Sequence, residues 1–307
     1  MKKIMLVFAV AAICACSKTP TEKAVENGNP VELTFRVPVS ATKASGAVDE
    51  SSIGSLQVFV FGPDGQIQSS GVADGNSLQL TCTTGEKTIA ALVNSPVESD
   101  VRNLEDLYLL QSGYDANAAG HFVMSGQIGK ILTSSEDVDI PVSRLVSKVS
   151  LVSVHNDFEL PQHQELEFSL RSISMVHVPA SMTYFDGSLS GDWIDRGESG
   201  LLYDAFTPVA VPYGESVEVG NCLYCYPNTS AADQIATCLL LEASLGNHVY
   251  YYRATMPQMQ PNKCYNVSMT ITRPGSTTPD DAFGKEDATF FVTVMEWSGN
   301  VDVNETI

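Results

Sequence analysis

The sequence predicts an all-β protein of two β-sandwich-like domains in tandem, on three observations. Short segments rich in Val, Ile, Leu, Phe, Tyr and Thr recur every ten or so residues, separated by clusters of Gly, Pro, Asp, Asn and Ser. One stretch, 99–110, places apolar side chains at helical spacing: Val101, Leu104, Leu107 and Leu110. Once the leading segment is set aside about 280 residues remain, enough for two domains of ordinary size.

The chain begins with a basic Met1-Lys2-Lys3, followed by an apolar run over 4–13. That run is too short to cross a bilayer as a helix, which takes about 20 apolar residues. It fits the apolar core of a secretory signal. Ala15 then precedes Cys16, the pattern of a bacterial lipobox; Cys14 fits less well, because Ile13 before it is bulky and branched. Cys16 is therefore the expected lipidation site of a signal spanning 1–16. Residues 17–29 are polar and aperiodic, the composition of a tether.

In the first strand Val31, Leu33, Phe35, Val37 and Val39 alternate with Glu32, Thr34, Arg36, Pro38 and Ser40. This pattern gives one buried face. Pro38 lacks an amide hydrogen and predicts an edge position. The stretch that follows, 41–46 (ATKASG), is small, polar and suited to proteolysis.

Next, 55–61 (SLQVFVF) stops at the turn 62–65 (GPDG) and resumes at 66–68, a hairpin. Segment 77–82 alternates, a turn follows at 83–85, and 87–93 reads as a buried strand. Further strands are expected at 122–125, 137–142, 145–154, 166–178, 222–226, 236–243, 249–255, 264–272 and 289–297. Residues 139–143 form the natural boundary, giving domains at 44–141 and 142–307.

Formal charge is −19 overall and −22 once residues 1–43, with six basic and three acidic side chains, are excluded. Such a surface repels nucleic acid and anionic lipid. Five cysteines lie outside the signal, Cys82, Cys222, Cys225, Cys238 and Cys264, and an odd number cannot all pair within one chain. Cys222 and Cys225 have C-x-x-C spacing, yet in a strand they would point to opposite faces. No metal or other cofactor is expected.

Several phrases, in order, resemble the Bacteroidia-type fimbrillins, the type V pilins. They are the lipobox and tether, the alternating first strand, and a basic residue followed by a small one before 55–61. Then come 122–126 (FVMSG), 144–149 (RLVSKV), 224–229 (YCYPNT), 262–275 (NKCYNVSMTITRPG) and a last strand ending in Glu296-Trp297. The resemblance implies two transthyretin-like β-sandwich domains and export as an outer-membrane lipoprotein. It also implies cleavage by a trypsin-like surface protease, here between Lys43 and Ala44, where the better-known fimbrillins carry arginine. Removal of residues 17–43 would open a groove that a neighbour's strand refills. The partners implied are other copies of this chain, other fimbrial subunits, the protease and, through Cys16, membrane lipid. The mature form would stand in an extracellular fimbrium.

Up to Met295 both faces of the last strand are largely apolar, which suits a strand buried within its own domain. Beyond Trp297 the chain reads apolar at Val301 and Val303 and polar between them, with Gly299 as a joint. This one-sided alternation marks the tail, Trp297, Val301 and Val303, as the donor strand.

Two other classes were weighed. An enzyme would need a nucleophile and base held together, and the five histidines stand in no such motif. Glu165 and Glu167, about 7 Å apart on one strand face, would only mimic a glycosidase pair. A fimbrial anchor, a tip adhesin or a glycan-binding lipoprotein of similar fold would use Tyr250, Tyr251, Tyr252 and Trp193 as stacking surfaces. Tyrosines in strands more often pack inside.

Overall fold

The computed structural model describes residues 28–38, 50–189, 191–229, 236–280 and 287–297. The N-terminal half holds β1 (Pro30–Arg36), β2 (Ser55–Phe61), β3 (Ile67–Asp74), β4 (Ser77–Thr83), β5 (Gly85–Val93), α1 (Leu104–Leu109), β6 (Gln111–Gly113), β7 (Met124–Leu132), β8 (Glu136–Asp139) and β9 (Ser143–Arg144). Two sheets form from them, ordered β4-β1-β8 and β3-β2-β5-β7-β9. Between them lies a core of Val31, Leu33, Phe35, Val37, Val58, Val60, Ile89, Ala91, Leu132, Val138 and Ile140. β2 and β5 are buried almost throughout, because their sheet is covered on both faces. Phe59, Phe61, Ala90 and Leu92 point the other way, toward the second half of the chain.

The C-terminal half contains β10 (Ser147–Asn156), α2 (Pro161–Gln164), β11 (Phe168–Pro179), β12 (Ser181–Thr183), β13 (Trp193–Arg196), β14 (Tyr203–Ala210), β15 (Ser216–Cys225), β16 (Cys238–Leu245), β17 (His248–Thr255), β18 (Lys263–Ile271) and β19 (Ala288–Glu296). One sheet runs β15-β10-β18-β19 and the other β13-β11-β16-β17, with β14 also on β11. Their facing side chains, among them Val149, Leu151, Phe168, Ile173, Leu241, Tyr252, Tyr265 and Val267, make the second core. The all-β, two-sandwich fold is as expected. A short ribbon of β12 on β6 stitches the halves together.

Four local expectations are corrected. The helix expected over 99–110 is confined to Leu104–Leu109, capped by the Asn103 side chain. Ahead of it the backbone is engaged by the β2–β3 turn: Ile67 donates to the Arg102 carbonyl and Leu104 to the Gly65 carbonyl. The strand expected from 122 starts at Met124, leaving Phe122 and Val123 buried between the domains. Glu165 and Glu167 share no strand; they follow α2 in the turn before β11. The last strand, whose two apolar faces suggested full burial, is an edge strand with Phe290 and Phe291 exposed.

Candidate assembly site

β1 is the element on which any strand-exchange mechanism turns, and its surroundings differ from expectation in one respect. It occupies no edge. It runs antiparallel to β4, with Val31 opposite Cys82 and Phe35 opposite Leu78, and parallel to β8, with Phe35 opposite Val138. Pro38 lies beyond the strand's end, so its missing amide costs the ladder nothing. At that end Ile140 N–H donates to the Arg36 carbonyl, Val37 N–H to the Asn76 carbonyl, and Asn76 Nδ2 to the Val37 carbonyl at 3.2 Å.

Val31, Leu33, Phe35 and Val37 are all buried, Phe35 completely. Four such side chains contribute about 6–12 kcal/mol of gross burial. Val39, Lys43 and Ala44 lie outside the described residues, as do Cys16, Val301 and Val303. Arg36, the other basic residue near the strand, pairs with Asp137 at 2.8 Å on the outer face. Both side chains are half exposed, so this pair adds little.

Without β1, β4 and β8 would flank a slot about 9–10 Å wide, two strand spacings. Its floor would be the inward face of the second sheet, Val58, Val60, Ile89 and Ala91.

Trp297, assigned above to the donor strand, is held within its own chain. Its ring stacks on Tyr224, with centroids 5.7 Å apart, and meets Phe122 edge-on. The Arg144 guanidinium lies over it at 4.6 Å. Its indole N–H donates to Glu50 Oε2 at 2.6 Å.

Glu50 was not singled out in the sequence, and nothing local marks it among 36 acidic residues. Its other carboxylate oxygen accepts from Lys148 Nζ at 2.8 Å and Tyr224 Oη at 2.6 Å. Its backbone carbonyl accepts from Arg144 Nε at 3.0 Å. Half-burial acts to raise the Glu50 pKa, but the Lys148, Tyr224 and Trp297 donors outweigh it and hold the carboxyl below its ordinary value. Arg144 also donates to Asn262 Oδ1 at 3.1 Å.

The phrases that carried the family resemblance therefore meet here. They supply five separate segments: Lys148, Tyr224 and Trp297 bond the Glu50 carboxylate, Arg144 bonds its carbonyl, and Asn262 and Phe122 join through Arg144 and Trp297. Gly126, which ends the first phrase, has its own reason: a Cβ there would run into the Pro141 carbonyl, where the chain crosses toward the second domain.

The five described cysteines are free. Cys225 is in the second core, where burial pushes its thiol up to about 12, while Cys222 faces the domain junction. The two thus point to opposite faces of β15. Among the described residues no group of three or more His, Cys, Asp or Glu is arranged to hold a metal ion. Of the tyrosines weighed as sugar platforms, Tyr252 is in the core. Trp193 has one face covered by the His177 ring at 4.1 Å.

Comparison with known proteins agrees with this geometry. The sequence model of the family described as major fimbrial subunit protein (FimA) matches residues 30–144. That span begins at β1 and ends with β9. No curated protein matches the chain by sequence. Among solved structures, a candidate cell adhesion protein of Parabacteroides distasonis superposes with a TM-score of 0.66 at 16% identity, over 88% of this chain and 97% of that one. A fimbrilin of Porphyromonas gingivalis does so at 0.65 and 15% identity, over 90% and 99%. A C-terminally truncated tip fimbrial protein of Porphyromonas gingivalis, Mfa3, gives 0.51 at 12% identity, over 88% and 100%. At these identities the superpositions speak for the shared two-domain fold. By sequence, the similarity to that fimbrial subunit family lies in the N-terminal domain, from β1 to β9, while the fold shared with these structures extends over both domains.

Proposed function

We propose that the chain is the repeating subunit of a cell-surface fimbria that supports adhesion. It is exported as a lipoprotein acylated at Cys16, cut between Lys43 and Ala44, and polymerised by strand exchange. The observation that carries this reading is β1 itself. The strand sits between β4 and β8 with four buried side chains, yet its covalent link to the rest of the domain is the short segment 39–49. Cutting that segment frees a strand whose loss leaves two unpaired ladders and an apolar floor, a surface that only another strand satisfies.

The incoming strand is the tail after Trp297 of the next subunit, with Val301 and Val303 as its teeth. Because β1 is antiparallel to one neighbour and parallel to the other, a donor entering in either direction gains one antiparallel partner. A contact between the tail of one copy and the groove of the next does not close on itself, so it builds a filament.

Mass spectrometry of sheared fibres tests the reading directly. The subunit is expected to begin at Ala44, and Lys43→Ala to leave an uncut, acylated monomer. Fibres that begin at Cys16 would identify an anchor instead. Normal fibres from Lys43→Ala would remove the cleavage step from the scheme.

A further inference from the structure

Glu50 and Trp297 are 247 residues apart, yet each borders a segment on which assembly depends. Glu50 lies seven residues after Lys43, and Trp297 directly precedes residues 298–307. Their hydrogen bond joins the start of the cleaved body to the root of the donor. We propose that Glu50 is a positioning residue for polymerisation: by holding the Trp297 indole at the junction, it fixes the point and direction from which the tail leaves the subunit.

The geometry separates this role from ordinary gluing of two domains. Glu50 uses its two oxygens for different tasks. Oε1 receives the Lys148 ammonium and the Tyr224 hydroxyl, both from the second domain's first sheet, and this anchors the carboxylate. Among the described residues, Oε2 accepts from the indole alone.

Arg144 closes the arrangement from above, bonded to the Glu50 carbonyl while lying over the Trp297 ring. Trp297 is thereby held in its plane by Phe122 and Tyr224, and along its edge by one acceptor. β19 needs such a hold, because at the edge of the described sheet only Val292 of its residues is buried. A tail hinged on a loose edge strand would sample many exit directions, and ordering it would then tax every addition step.

This inference rests on the reading of the tail as donor, and its test keeps the two apart. Purified subunit cut at Lys43 is assayed for fibre extension and, as monomer, for chymotryptic cleavage after Trp297. Glu50→Ala is expected to speed that cleavage and slow extension, each by about tenfold, the effect of one hydrogen bond to a charged acceptor. Glu50→Gln removes the charge and the ion pair with Lys148 but keeps a side-chain oxygen that can accept from the indole, and is expected to recover most of both rates.

Should Glu50→Ala fail to fold, Trp297→Phe removes the N–H and keeps both the ring and the chymotrypsin site. The same two changes are then expected. Equal effects of Glu50→Gln and Glu50→Ala would reduce Glu50 to half of an ion pair and overturn the proposal. So would unchanged extension in a folded Glu50→Ala subunit whose Trp297 is cut faster, while leaving the donor role of the tail intact. A subunit lacking 298–307 that still extends would instead sink the donor reading.

Discussion

Cys82 reports on the groove from inside it. It lies opposite Val31 in the β1–β4 ladder, it is buried, and burial raises its thiol pKa despite nearby Lys87. In the uncut precursor it should resist alkylation. After cleavage and loss of β1 it should react readily, and in extended fibres resist again as a donor strand covers it. Peptide mapping would follow this thiol among the five. A Cys82 equally reactive in cut monomer and fibre would mean that no strand returns to the Val31 position. At this scale the sequence was legible where chemistry repeats and silent where it converges. The alternation from Val31 to Val37 announced its buried face unaided. Glu50 did not, because its meaning comes from Lys148, Tyr224 and Trp297, brought together only by the fold.

The strands most plainly written in the sequence are the ones buried on one or both faces. β2, β5 and β18 show their burial as apolar runs or clean alternation. β8 does not: of its four residues only Val138 is buried, so nothing local says that it, with β4, encloses β1. The edge position inferred from Pro38 failed for that reason. Beyond β8, among the described residues, no further strand is paired. Its outer edge carries Glu136, Asp137 and Asp139, charges that discourage unwanted pairing. The second domain repeats the first domain's plan. β10, its first strand, also lies between an antiparallel neighbour, β15, and a parallel one, β18, but β19 then covers β18. The described sheets enclose both cores without residues 298–307. Deleting 298–307 should therefore leave a folded, cut monomer with unchanged thermal stability that fails to extend, as seen by electron microscopy. A large drop in melting temperature would show that the tail belongs to its own domain instead.

For the molecule as a whole the dominant quantity is charge. Residues 44–307 carry a formal −22, so two approaching subunits repel before any strand pairs. Extension should be slow at about 10 mM salt and faster at about 150 mM, as the screening length falls from about 30 Å to about 8 Å. Light scattering at two ionic strengths measures this. An extension rate independent of salt would place the limiting step after encounter, in strand insertion.

The position of β1 also says something about time. It is the first described strand, yet its partners are residues 77–83 and 136–139, so its ladder with β4 waits for about half of the domain and its ladder with β8 for nearly all of it. The other sheet can close first, since β2, β3 and β5 pair with near neighbours in sequence. A strand with only distant contacts docks late onto a largely finished body. It belongs to no hairpin, so nothing else must unravel when it leaves. Late arrival in folding and clean departure in assembly follow from the same connectivity.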